Sequence, residues 1–298
     1  MRRFLSLIFL LPGLLFWLSL PASAWNAGGH RLIAARAWQE MTPQTRNAVT
    51  ALLRQHPDYA RWQARQRETK VDYGVFLEAS TWADDIRHDP RFHDDDQPAT
   101  PLLPGFPDMQ RHSHWHFRDS PAENRKRKKP KGEIDLRLMT LAKALQTGNS
   151  THRVYALPWI IHLVADLHQP LHAAGRFDGG GNGFMVENPY TTGKQHFMSL
   201  HAYWDGLLAP PWLRGKPLAE ALRRLAAFPA PIQGEVARWA TESRDWVARP
   251  GAVYPEEKPK AAVTRITPEF HQRARALADR RAAEAGIRLG RWLNQLVR

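Results

Sequence analysis

Two pairs of residues in this chain have the spacing of metal ligands. His162 and Asp166 stand four apart, and so do His201 and Asp205. On an α-helix that spacing places both side chains on one face, one turn apart. Imidazole nitrogen and carboxylate oxygen are the usual non-sulfur ligands of zinc. A single H-x3-D is ordinarily a hydrogen-bonded surface pair. Two in one chain are a stronger pattern, because the first lies in IIHLVADLHQPLHAAGRFDGGGN, residues 160–182. There Pro170 ends the helix and His172 follows in the turn. Gly179 to Gly181 would let backbone lie close to whatever binds.

Further candidates lie upstream. STWADDIR offers Asp84 on a helix with Arg87 three residues on, while the neighbouring Asp85 should face elsewhere. HSHWHFRD offers His112, His114 and His116, with Asp119 behind. If that segment is extended, alternation puts the three histidines on one side. The result is either a metal cluster or a polar strand face, and residue chemistry alone does not choose between them.

The chain start supplies a different kind of ligand. Arg2 and Arg3 precede an apolar run from Phe4 to Leu20, and Ala22-Ser23-Ala24 is a small-x-small cleavage signature. This is the anatomy of a secretory signal peptide, removed after Ala24. Cleavage leaves 298 − 24 = 274 residues beginning at Trp25, with His30 five residues on. A free α-amino group has a pKa near 7.7–8.0, so a metal can displace its proton at neutral pH. Trp25 could then chelate through its amine and its own carbonyl oxygen. The expected destination is the periplasm or the medium, and no second apolar stretch could anchor the mature chain.

These residues need a frame. A chain this long can bury a large core. It has no Cys, so packing or metals must hold an exported fold together. Removing the leader takes two arginines, so the net charge falls to 13 − 2 = +11, which suits a polyanionic partner. Apolar residues recur at three and four over Val49 to Leu53, Phe76 to Trp82, Leu136 to Leu145, Tyr155 to Leu167 and Leu218 to Phe228. Thr267 to Val297 reads as one long amphipathic helix, with Thr267 and Pro268 as its capped start. No run alternates long enough to suggest a sheet. The expected fold is all-α, a single compact multi-helix domain over residues 25–298 with long loops. His88 to Pro107 is one loop. RKRKKPK, residues 125–131, is either a solvated loop or a grip on phosphates.

The ordered motifs resemble the zinc-dependent single-strand-specific nucleases known as nuclease S-one/P-one, in the superfamily that also holds bacterial zinc phospholipase C. They are W-x4-H, W-A-D-x2-R, H-F-x-D, H-x3-D-x-H-Q-P-L-H, G-G-N and L-H-x2-W-D, and the final GIRLGRWLNQL is also similar. The resemblance implies three zinc ions. One would be held by Trp25 (amine and carbonyl), His30 and a bridging Asp166. A second would take Asp84, His116, His162 and the other oxygen of Asp166. The third would take His172, His201 and Asp205. The resemblance further assigns Arg87 to the phosphate, Asp119 to the attacking water, Phe117 to base stacking and Asn182 to the nucleotide site. His168, His112 and His114 match no ligand.

The chemistry implied is hydrolysis of single-stranded DNA and RNA to 5′-phosphate products, with 3′-nucleotidase activity on nucleotides. A monomer is the favoured assembly. Fungal and plant relatives carry disulfides, which this chain lacks. Two alternatives remain. Zinc phospholipase C is opposed by the short step from Trp25 to His30, by Asp205 where those enzymes carry Glu, and by a basic chain ill suited to a choline cation. A non-catalytic periplasmic binder of zinc or nucleic acid would retain both without turnover.

Overall fold

The computed structural model describes residues 25–122, 131–191, 193–256 and 263–297. The leader, residues 1–24, and all of the basic run except Lys131 lie outside the described residues. Twelve α-helices are present among those residues: α1 Ala27–Glu40, α2 Pro43–Leu53, α3 Tyr59–Arg65, α4 Val71–Ala79, α5 Trp82–Asp85, α6 Ile134–Thr147, α7 Ser150–His168, α8 Pro170–Ala173, α9 Leu200–Asp205, α10 Gly215–Leu225, α11 Val236–Ala248 and α12 Pro268–Leu296. The mostly α expectation holds.

Helix starts follow side-chain capping. Asn26 accepts from the Gly28 and Gly29 amides at the start of α1, at 3.0 and 3.1 Å. Asn149 caps α7 through His152 N–H, and Thr267 caps α12 through Phe270 N–H, as its sequence expects. The apolar character of α7 runs all round it, so the helix is buried from Val154 to His168. The other helices pack about it, with α6, α11 and α12 along its length and α2 and α5 against its flank.

The first helix owes its position to glycine. It lies along α12, where a β-carbon at Gly290 would stand 2.4 Å from the Ala37 carbonyl oxygen. Only the missing side chain allows that approach.

Six short strands also form: β1 Arg118–Pro121, β2 Lys131–Gly132, β3 Ala174–Gly175, β4 Met185–Glu187, β5 Phe197–Ser199 and β6 Thr264–Arg265. They make two three-stranded sheets, ordered β2-β1-β3 and β5-β4-β6. Strands this short carry too few residues for period-two alternation to show in sequence. The first sheet matters to the site. β1 pairs antiparallel with β2, Asp119 opposite Lys131, and parallel with β3, Ser120 opposite Ala174. HSHWHFRD is not extended. His112 takes a left-handed φ of 48°, and Ser113–His116 coil into a 3-10 turn before β1. The three histidines therefore do not share one face.

An aromatic cluster fixes α5. His56 stacks on Trp62 at 4.5 Å and meets Trp82 edge-on at 5.0 Å. Trp82 donates to Asp58 at 2.8 Å, and Arg91 pairs with the same carboxylate. This pins the loop after α5, and with it Asp84 and Arg87.

Two outcomes test this frame. Gly290→Ala should lower stability by roughly 1–3 kcal/mol through overpacking. An unchanged urea midpoint would show that α1 has room to move. Burial holds the His56 imidazole down at about 3, against about 6.5 in an unfolded chain. The unfolded state therefore binds the extra proton between those values. The full contribution is present above about pH 6.5, and up to about 1.4 kcal/mol per pH unit is lost below it. Urea midpoints of the wild type and His56→Asn at pH 7.5 and pH 5 should diverge. Parallel pH dependence would remove His56 from the account.

Candidate metal centre

The predicted ligands meet in three groups around the C-terminal end of α7. Asp166 is wholly buried there, and its two oxygens face different ways. Oδ1 lies 3.3 Å from His30 Nε2 on α1. Oδ2 lies 3.0 Å from His116 Nδ1 and 3.2 Å from His162 Nε2. Asp84 joins the second group, 3.9 Å from His116 Nδ1 and 3.8 Å from His162 Nε2. The rings of His30 and His162 stack at 3.9 Å, which holds the first two groups side by side. In the third group His172 Nε2 stands 2.9 Å from His201 Nε2, which is 3.5 Å from Asp205 Oδ2. His172 opens onto this group from α8, a new helical turn begun at Pro170.

Backbone carbonyls set the tautomers. His162 Nδ1 donates to Ser80 O at 2.8 Å, His172 Nδ1 to His116 O at 2.7 Å and His201 Nδ1 to Gly180 O at 2.7 Å. A carbonyl can only accept, so each Nδ1 keeps its proton; the Nε2 atoms of His172 and His201 then present lone pairs, and that of His162 does so once a second proton is displaced. Gly180 reaches His201 from a left-handed conformation, φ 64°, with its Cα too close to Leu171 O for any side chain. His172 and His201 consequently face lone pair to lone pair at 2.9 Å. That contact is repulsive unless a cation or proton lies between them.

Other groups hold the ligands in place. Gln169 donates to Asp205 Oδ1 at 2.9 Å and accepts from Leu171 N–H at 2.6 Å. Trp25 is buried and its indole donates to Ala165 O, one residue before Asp166. The next residue, Asn26, donates its amide to Asp205 O at 3.1 Å. Arg31, beside His30, forks onto Glu78 at 2.9 and 3.1 Å, and Arg214 shares that carboxylate.

The electrostatics fit a cation. Burial lowers the imidazoles of His116, to about 4, and His201, to about 3. Burial also lowers His30 and His172. Burial pulls His162 the same way, but Asp166 and Asp84 outweigh it and raise the ring to about 9. Against the cost of burial, His162 and its neighbours hold Asp166 well below the carboxylate range. His162 is thus where this protein itself accumulates positive charge, and a proton there competes with a metal ion. Burial pushes the Asp205 carboxyl well up and the His201 ring down, so burial disfavours charge on both members of the pair. Both ring nitrogens of His30, Nε2 of His116 and Oδ1 of Asp166 have no hydrogen-bond partner among the described residues. Buried polar atoms left this way cost about 1–3 kcal/mol each. Each of the three sets, His30–His162–Asp166, Asp84–His116–His162 and His172–His201–Asp205, can offer its ligand atoms to one ion. Mixed imidazole and carboxylate donors suit zinc.

Above the groups lies a cleft of about 490 Å³, lined by Arg87, Phe117, Asp119, Lys131 and Asn182 together with His116, His172 and His201. Arg87 Nη1 lies 3.4 Å from Asp84 Oδ1. Asp119 is half-buried, and burial, with Asp178 nearby, raises its carboxyl. Asn182 donates to Gly179 O at 2.8 Å. The histidines without a family match lie apart from the three groups. His168 donates to Val164 O and accepts from Arg288 at 3.0 Å. His112 stacks on Trp115 at 3.6 Å and bonds Asp108. His114 lines the cleft beside Asp95 and Glu133. Sequence reasoning passed over Gln169, although it stands inside the quoted HQPLH, because a lone Gln carries no spacing signal.

Asp166→Asn keeps the shape and removes the shared charge. Elemental analysis of the metal-loaded variant should show less bound metal than the wild type, because both groups that share Asp166 lose a charged ligand. Full retention would contradict a bridging Asp166.

Among known protein families, the model described as S1/P1 Nuclease matches residues 25–298. No curated protein matches the chain. Because that match extends from Trp25 to Arg298, the chain belongs to the S1/P1 nuclease family.

Proposed function

We propose that this protein is an exported, zinc-dependent nuclease that cuts single-stranded DNA and RNA to 5′-phosphate products and removes 3′-phosphates from nucleotides. The observation that carries the reading is Asp166, whose two oxygens serve separate ligand groups at the foot of a cleft bearing Arg87. Trp25 and His30 with Asp166 would hold one zinc, Asp84, His116 and His162 with Asp166 a second, and His172, His201 and Asp205 a third. When bound, zinc supplies Lewis acidity toward phosphoryl oxygen and makes water a nucleophile near neutral pH.

The chain's own residues do the rest. Arg87 presents guanidinium donors to the non-bridging phosphoryl oxygens, where charge grows in the transition state. Asp119 carries a carboxyl whose raised pKa makes it a better proton acceptor than an ordinary aspartate, and it takes a proton from the attacking water at its carboxylate oxygen. Phe117 stacks on a base, which only an unpaired base can offer. Asn182 uses its amide N–H on Gly179, leaving its side-chain oxygen to accept from the base. Cleavage of the leader after Ala24 would free the Trp25 amine beside Asp166.

Digests of single-stranded DNA, RNA, duplex DNA and lecithin, with end-group analysis, test the reading. Rapid scission of single strands with 5′-phosphate ends is expected. Hydrolysis of lecithin alone, or retention of DNA without turnover, would replace it. Arg87→Ala should lower kcat/KM by about 10²–10³ with zinc content intact. An unchanged rate would take Arg87 out of the chemistry.

A further inference from the structure

A second cavity, of about 510 Å³, opens between α11 and α12 and is lined by Phe228, Trp246, Arg249, Arg273 and Arg280 with the Pro250–Gly251–Ala252 turn. No carboxylate residue is among its described lining, although Glu256 Oε1 would lie 3.9 Å from a β-carbon at Gly251. Arg249 lies over the Trp246 ring at 4.1 Å and Arg280 at 5.6 Å. Glu284 accepts from Arg280 at 2.9 Å, so that charge is partly spent. Arg249 and Arg273 are exposed and form no salt bridge to a carboxylate among the described residues, although Glu269 lies one turn before Arg273.

This cavity is tied to the cleft through a short chain of contacts. Its turn leads directly into Val253 and Tyr254. Val253 O accepts from the Trp204 indole on the ligand helix α9 at 3.0 Å. Tyr254 donates to the Asp178 carboxylate at 2.8 Å, and Asp178 in turn accepts from Gly181 N–H. Arg176 lies over the Tyr254 ring at 4.3 Å. Gly179, Gly180 and Asn182, on the same loop as Asp178, line the cleft. Tyr254 and Val253 are wholly buried, so they fix the cavity's turn to the loop that walls the cleft, while the exposed arginines Arg176, Arg249 and Arg273 carry the positive charge at the surface.

We infer that this arginine-lined cavity is a remote subsite for the same strand whose phosphodiester lies in the cleft. It holds backbone phosphates on Arg249 and Arg273 and leaves Trp246 and Phe228 to meet a base. The chemistry matches a flexible polyanion with exposed rings, since guanidinium serves phosphate and aromatic rings serve bases without regard to sequence. A duplex would hide those rings. The inference rests on the nuclease reading and adds that long strands gain affinity that short ones lack.

The test compares the zinc-loaded wild type with Arg249→Ala/Arg273→Ala on a dinucleotide and on a single strand of about 20 nucleotides. The dinucleotide reaches only the cleft. For the long strand KM should rise about tenfold, and the slope of log KM against log salt should fall by about 1.4, or about 0.7 per lost phosphate contact. Dinucleotide kinetics should not change, and Arg249→Lys/Arg273→Lys should restore most of the long-strand KM. An unchanged KM and salt slope would overturn the inference, as would equal losses on both substrates. If the wild type cleaves neither substrate, the nuclease reading itself has failed.

Discussion

The site depends on one buried carboxylate. Asp166 sits at no measurable exposure on the central helix, and an isolated charge there costs several kcal/mol. The fold compensates it chiefly at Oδ2, where His116 and His162 lie, and leaves Oδ1 facing His30 Nε2 at 3.3 Å without a hydrogen bond. That division only works because α7 is buried all round. A helix with one face in water could not direct a single carboxylate into two ligand groups. The packing of α1 against α12 serves the same end, since it delivers His30 from the far start of the chain.

The three groups are interlocked and not merely adjacent. His116 gives its ring to the second group and its carbonyl to His172 in the third. The Asn26 backbone amide ties the segment leading into α1, beside the first group, to the Asp205 carbonyl in the third. Gly180 fixes His201 from the loop that also forms the wall of the cleft. A shift of one element therefore disturbs ligands that belong to another, which makes rigid support a condition of metal binding. The Glu78 cluster with Arg31 and Arg214, and the His168–Arg288 contact, are buried polar supports of this kind. They show why a chain without Cys still holds its loops: charge-assisted bonds and packed aromatics do what disulfides do elsewhere.

The substrate side follows from charge. A chain with a formal net charge of +13 attracts polyanions from any direction, but attraction alone places nothing. Placement comes from arginines held beside rings, at Arg176 over Tyr254 and at Arg249 over Trp246. In the proposed subsite Arg249 and Trp246 pair a cation for phosphate with a surface for a base, whereas Tyr254 is wholly buried and only supports Arg176 from beneath.

Much of this was legible in the residues themselves. Periodicity marked α7 and α12, Thr267 and Pro268 marked a helix start, and the repeated H-x3-D spacing marked two ligand pairs, because local geometry alone decides all of these. Local geometry also limited the reading. The alternation in HSHWHFRD suggested one face, yet a left-handed His112 and a 3-10 turn brought only His116 to the ligand groups and packed His112 against Trp115. Strands of two to four residues left no pattern to see. Only the tertiary structure divided the two oxygens of Asp166, fixed the ring protons through the carbonyls of Ser80, His116 and Gly180, and gathered Arg249 and Arg273 about Trp246. Sequence specifies which donors exist and which lie one turn apart. Their convergence across more than a hundred residues is decided by packing, where burial makes each polar atom costly unless a protein group or a bound cation meets it.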